Sequence, residues 1–155
     1  MGQGAFFMLR SIYHGIQTTG KCLQTPLLLI IRLYWGYEFA ATGFGKLAAL
    51  DQITVYFQSL GIPFPYFNAL LTGCVELVCG ALLVLGLFTR VAAIPLIVVT
   101  TVAYLTAESV PLMTLIHQRD PSAFFAATPF LFLYASVILF CFGPGKASCD
   151  YFIEK

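Results

Sequence analysis

Four apolar runs, each long enough to cross a bilayer, constrain this chain more than any other feature. They lie at about residues 26–47 (PLLLIIRLYWGYEFAATGFGKL), 66–88 (YFNALLTGCVELVCGALLVLGLF), 91–112 and 122–142 (SAFFAATPFLFLYASVILFCF). A spanning helix needs about 20 residues, so a chain of 155 residues holds these runs, two tails and short connections. The runs are apolar on every face, whereas a membrane barrel needs many segments of alternating polarity. Charged side chains make up 10% of the residues, against roughly 25% in a soluble domain. A soluble domain this small could not bury the remainder. The formal net charge of +1 gives no case for nucleic acid. The sequence therefore predicts an all-α, polytopic membrane four-helix bundle in one domain.

The connections carry helix punctuation. Asp120-Pro121-Ser122 opens the fourth run and Gly143-Pro144-Gly145 closes it, the usual proline-first, glycine-last order. Phe88-Thr89-Arg90 is short enough to make the second and third spans antiparallel neighbours. Pro129 falls inside the fourth run and predicts a kink there, since it leaves the carbonyl of Phe125 unpaired. Between the first two spans, Asp51 to Leu60 places Ile53, Phe57 and Leu60 at helical spacing, the pattern of an interfacial amphipathic helix. Gly61 closes it, and Pro63 and Pro65 force an extended approach to the second span.

Residues 1–25 read as a cytoplasmic N-terminal tail that lies on the surface as a helix, residues 26–143 as the spanning domain, and residues 144–155 as a cytoplasmic C-terminal tail. The N-terminal stretch lacks the features of a signal peptide and is expected to remain in the mature chain. With both tails on one side, that side holds Arg10, Lys21, Arg90, Lys146 and Lys155, and the other holds Lys46 and Arg119. The basic excess places both termini in the cytoplasm.

The informative charges are the ones in the wrong place. Arg32, Glu38, Lys46, Glu76, Arg90 and Glu108 lie within or at the edges of the apolar runs. An isolated charge deep in hydrocarbon costs at least about 2.5–3.5 kcal/mol, so these groups face the bundle interior and pair. At 100° per residue, Gly36, Gly43 and Lys46 fall within about 40° of Arg32 and form one stripe on the first span. Gly36 and Gly43 permit close helix approach, as Gly80 does near Glu76. The Arg32 stripe is expected to pack against the Glu76 face. Glu38 lies about 120° away and needs another partner, water or a neighbouring subunit. Two readings of Arg32, Lys46, Glu76, Arg90 and Glu38 stand side by side: a buried network that sets helix packing, or a polar intramembrane pocket for a quinone or lipid head group.

Cys74 and Cys79 are spaced wrongly for a disulfide within one helix, and Cys141 ends the fourth run. Cys22 and Cys149 in the tails, with Cys79, are weak redox candidates; cytoplasmic thiols stay reduced. His14 and His117 fall on opposite sides of the membrane and cannot share a haem, and no metal-ligand spacing or catalytic motif occurs. Tyr34, Trp35 and Tyr37, with Tyr56, Phe57, Phe64, Tyr66 and Phe67, form an interfacial aromatic belt or a flat-ring site.

Taken in order, Arg32, Gly36, Gly43 and Lys46, then Gly61-Ile62-Pro63 with Pro65, then Glu76, Gly80, Gly86, Thr89 and Arg90, and finally Gly143-Pro144-Gly145 with Ser148 and Asp150, resemble the DoxX family of small four-helix membrane proteins. The resemblance covers residues 26 to 150. It departs from the family in the fourth span, where Ala127-Thr128-Pro129 carries no charge. The resemblance implies a bacterial inner-membrane protein associated with quinone-linked or thiol-linked redox complexes, with relatives that act as assembly factors. Three functions follow as expectations: an accessory subunit of such a redox complex, a non-enzymatic scaffold docking membrane partners, or a small-solute transporter. The last is disfavoured because four spans leave little room for a path. A homo-oligomer or hetero-complex is expected, quinone is the one cofactor considered, and the residues decide neither for nor against catalysis.

Overall fold

The computed structural model of the chain describes residues 2–107, 125 and 127–153, and these are helical with short turns. The helices are α1 (Gly2–Ala48), α2 (Leu50–Ser59), α3 (Pro65–Leu85), α4 (Thr89–Ala107), α5 (Thr128–Phe142) and α6 (Cys149–Ile153). The all-α fold expected from the apolar runs is the one found. Glu108, His117, Arg119 and the Asp120-Pro121-Ser122 start signal lie outside the described residues. Helix α1 packs most extensively on α3, and further contacts join α3 to α4, α4 to α5 and α5 back to α1.

Two of these helices are long and apolar enough to cross a bilayer: α3, with 21 residues and mean hydropathy 2.0, and α4, with 19 residues and mean hydropathy 1.7. Their outward positions are apolar as well. Val78, Leu85, Val91, Ile94, Val98 and Val102 are all exposed, which suits lipid contact and not water. The core between the helices is small: Phe39, Cys79, Leu83, Ala92, Leu96 and Leu139, with Phe132 packed against it. Two buried hydroxyls in the apolar helices bond back to their own backbone. Thr100 Oγ1 donates to the Leu96 carbonyl at 2.6 Å and Ser136 Oγ to that of Phe132 at 2.8 Å, so neither leaves a polar group for lipid to solvate.

The punctuation holds in part. The approach to α3 is not extended as expected: Phe64, between Pro63 and Pro65, is left-handed with φ of 47° and ψ of 58°, and its carbonyl accepts from the Asn68 N–H at 3.0 Å to open the helix. Helix α2 lies in the connection where the amphipathic pattern placed it and packs on α3, and Pro65 stands in the first turn of α3. However, α1 runs unbroken through the boundary expected at residue 26, with Pro26 inside it. Pro26 removes one hydrogen bond, to the Cys22 carbonyl, without ending the helix. The predicted kink at Pro129 is also replaced: α5 begins at Thr128, so Pro129 occupies its first turn. A proline there has no helical hydrogen bond to lose.

Candidate functional site

Close approach of α1 and α3 rests on two glycine pairs with the same seven-residue spacing. Gly36 and Gly43 on α1 face Gly80 and Gly73 on α3, in antiparallel order. A Cβ on Gly80 would stand 2.7 Å from the Gly36 carbonyl oxygen, and one on Gly43 would stand 2.8 Å from that of Gly73. Both neighbours are backbone and cannot move aside, so only glycine permits this crossing. Gly73 is absent from the sequence reading, although its spacing from Gly80 repeats that of Gly36 from Gly43.

One turn beyond Gly43, this crossing brings Lys46 to Glu76. Lys46 Nζ donates to Glu76 Oε1 at 2.6 Å, and the two side chains are 27% and 6% exposed. Glu76 Oε2 is buried without a hydrogen-bond partner among the described residues. The arrangement is an ion pair reachable at its lysine end and closed at its carboxylate end.

Arg32 does not join it. Fourteen residues of helix separate Arg32 from Lys46, about 21 Å. At its own end, Arg32 is 3% exposed and meets the backbone after α5: Nη1 donates to the Pro144 carbonyl at 3.3 Å and Nη2 to that of Ala147 at 2.9 Å. Two carbonyl dipoles thus take the place of the expected carboxylate.

The segment that supplies them is folded back on the bundle. Asp150 accepts from the backbone N–H of Phe88 at 2.6 Å and of Thr89 at 2.9 Å, capping the start of α4 from a distant part of the chain. Its own N–H donates to the Gly86 carbonyl at 2.9 Å. Gly86 ends α3 with φ of 69°, a left-handed conformation that favours glycine. A Cβ there would also collide with the Arg32 guanidinium. Ser148, which is buried, donates to the Gly145 carbonyl at 2.8 Å.

The expected cluster therefore divides. Lys46 and Glu76 form one centre, and Arg32 with Gly86 and residues 144–150 forms a second. Arg90 is exposed beside Gly143. Glu38 is half-buried on another flank of α1, and no described residue bonds to its carboxylate; only its backbone carbonyl accepts a bond, from Thr42. All five cysteines are free thiols: Cys79 lies in the core, and Cys22, Cys74, Cys141 and Cys149 are exposed. Phe132 meets Trp35 and Phe39 edge to face, each at 4.9 Å between centroids. Those rings fill one another's space and leave no flat slot between them.

The profile of the DoxX family matches residues 27–109 of this chain, the stretch that contains the glycine crossing, the Lys46–Glu76 pair, Arg32 and Arg90. An "uncharacterized membrane protein Rv3486" of Mycobacterium tuberculosis is 34% identical over 142 residues, covering 84% of this chain and 83% of that protein. The "inner membrane protein YphA" of Escherichia coli is 38% identical over 68 residues, covering 44% of this chain and 49% of that protein. No solved structure matches. With a family profile that spans more than half of the chain and a relative that aligns along most of it, this membrane protein belongs to the DoxX family.

Proposed function

We propose that this protein is an accessory subunit of a quinone- or thiol-linked redox complex in a bacterial inner membrane, and that it acts by docking on a partner membrane subunit. Four crossings with both tails in the cytoplasm belong to this reading. Its support is that Lys21, Arg90 and Lys146 gather at one end of the bundle, where the C-terminal segment also meets Arg32. Basic groups of this kind mark a cytoplasmic face.

The observation that carries the docking is Glu38. Its carboxylate sits near the middle of the first apolar run, unpaired among the described residues, while Tyr34, Tyr37 and Phe44 on the same helix are exposed. Left against lipid, a charge there costs at least about 2.5–3.5 kcal/mol, and a donor from a neighbouring subunit removes that cost. The redox half of the reading rests on membership of the DoxX family, and the quinone belongs to the complex.

The test is extraction of the native protein in mild detergent, with mass spectrometry of co-purified chains and small molecules. An oxidoreductase subunit and quinone are expected, and Glu38→Leu lowers recovery of that subunit at least about tenfold, as for other severed charge pairs between subunits. A chain that purifies alone, or recovery unchanged in Glu38→Leu, overturns the docking. A partner without a redox centre replaces this reading with that of a scaffold.

A further inference from the structure

Behind the C-terminal segment lies an open cleft of about 690 Å³, formed by residues 21–28 in the middle of α1, the start of α4 and residues 142–151. Its volume falls within the range of small-molecule sites. Three cations line it, Lys21, Arg90 and Lys146, and one acid, Asp150. Both Asp150 oxygens are engaged by backbone N–H groups, whereas none of the three cations is in an ion pair among the described residues. The cleft is therefore set for an anion.

Two further features say which kind. Leu28, Phe88, Val91 and Phe142 form part of the lining, and the last three are large apolar side chains left exposed. The cations thus stand at the edge of an apolar wall. Thr89, also in the lining, is fully buried, and its hydroxyl has no partner among the described residues. A buried hydroxyl without a partner costs about 1–3 kcal/mol, which an acceptor oxygen in the cleft offsets.

We infer that this cleft binds the head group of an anionic phospholipid, with phosphate oxygens on Lys21, Arg90, Lys146 and the Thr89 hydroxyl and an acyl chain along Phe88, Val91 and Phe142. A free phosphate satisfies the cations equally but leaves the apolar wall without a role. The site lies apart from Glu38, so its test stands or falls independently of the docking reading.

Nanodiscs of equimolar phosphatidylglycerol and phosphatidylcholine provide the probe, read by native mass spectrometry of lipid retained on the protein. The wild-type chain retains phosphatidylglycerol preferentially. The Lys21→Gln, Arg90→Gln, Lys146→Gln triple variant loses that preference by on the order of tenfold or more, since each basic group near an anionic lipid surface contributes about 1 kcal/mol. Arg10→Gln, an exposed charge outside the cleft, keeps it. If the triple variant does not fold, Lys21→Gln and Lys146→Gln, both at exposed positions, are each expected to weaken it. Equal retention of the two lipids, equal loss in Arg10→Gln, or displacement of the lipid by millimolar inorganic phosphate overturns the assignment.

Discussion

A buried carboxylate such as Glu76 has no water to fall back on in a bundle surrounded by lipid, and Lys46 is the group that permits its charge. Lys46→Met leaves that carboxylate unpaired and destabilises the protein. The loss falls short of the roughly 3–5 kcal/mol of a fully buried pair, because Lys46 keeps 27% of its side chain exposed. The double variant Lys46→Met, Glu76→Leu removes both charges and is expected to recover most of the stability. Thermal unfolding in detergent across the four-member cycle checks this; a double variant no better than Lys46→Met shows that the pair does more than neutralise itself. Both residues stand out in the sequence as charges in apolar runs, and the spacing on α1 relates Lys46 to the glycines that bring it to Glu76. Arg32 lies on the same stripe, yet its acceptors are the carbonyls of Pro144 and Ala147. Backbone acceptors have no side-chain signature, so sequence spacing cannot point to them.

At the scale of elements, the C-terminal segment works as a latch across three helices. It supplies acceptors for Arg32 on α1, a bond to the end of α3 and a carboxylate cap for α4. Asp150→Ala removes the cap and costs about 0.5–2 kcal/mol. Asp150→Asn, which keeps an acceptor oxygen, costs less. Deletion of residues 144–155 is worse than either, because a buried guanidinium then loses both of its acceptors, each absence costing about 1–3 kcal/mol. Unfolding midpoints are expected in that order, and a deletion that melts with the wild-type chain would refute the latch. The Gly-Pro-Gly stop is legible as a helix end. What it does next is not, because the resemblance that includes Ser148 and Asp150 gives neither of them a partner.

Across the whole molecule, the latch ties the chain's end to the middle of α1, and the proposed topology puts both tails on one side of the membrane. Cys22 on α1 and Cys149 at the start of α6 are both exposed. A membrane-impermeant maleimide is expected to label both from the same side in oriented vesicles, and Cys79 from neither, since it is packed in the core. Labelling of Cys22 and Cys149 from opposite sides would exclude an even number of crossings.

The sequence by itself determines that this chain lives in lipid as helices, because long apolar runs with few charges have no other stable solution. It also marks α2 and the glycine stripe of α1, since both follow from the fixed period of a helix. Only the tertiary structure decides how the misplaced charges are settled, Lys46 with Glu76 and Arg32 with backbone carbonyls, and that Arg90 shares one cleft with the tail lysines Lys21 and Lys146. Helical period relates residues of one helix to each other. Which groups meet across helices depends on where the glycine crossing sets α1 against α3 and where the chain turns back after Gly143, and those are properties of the packed molecule.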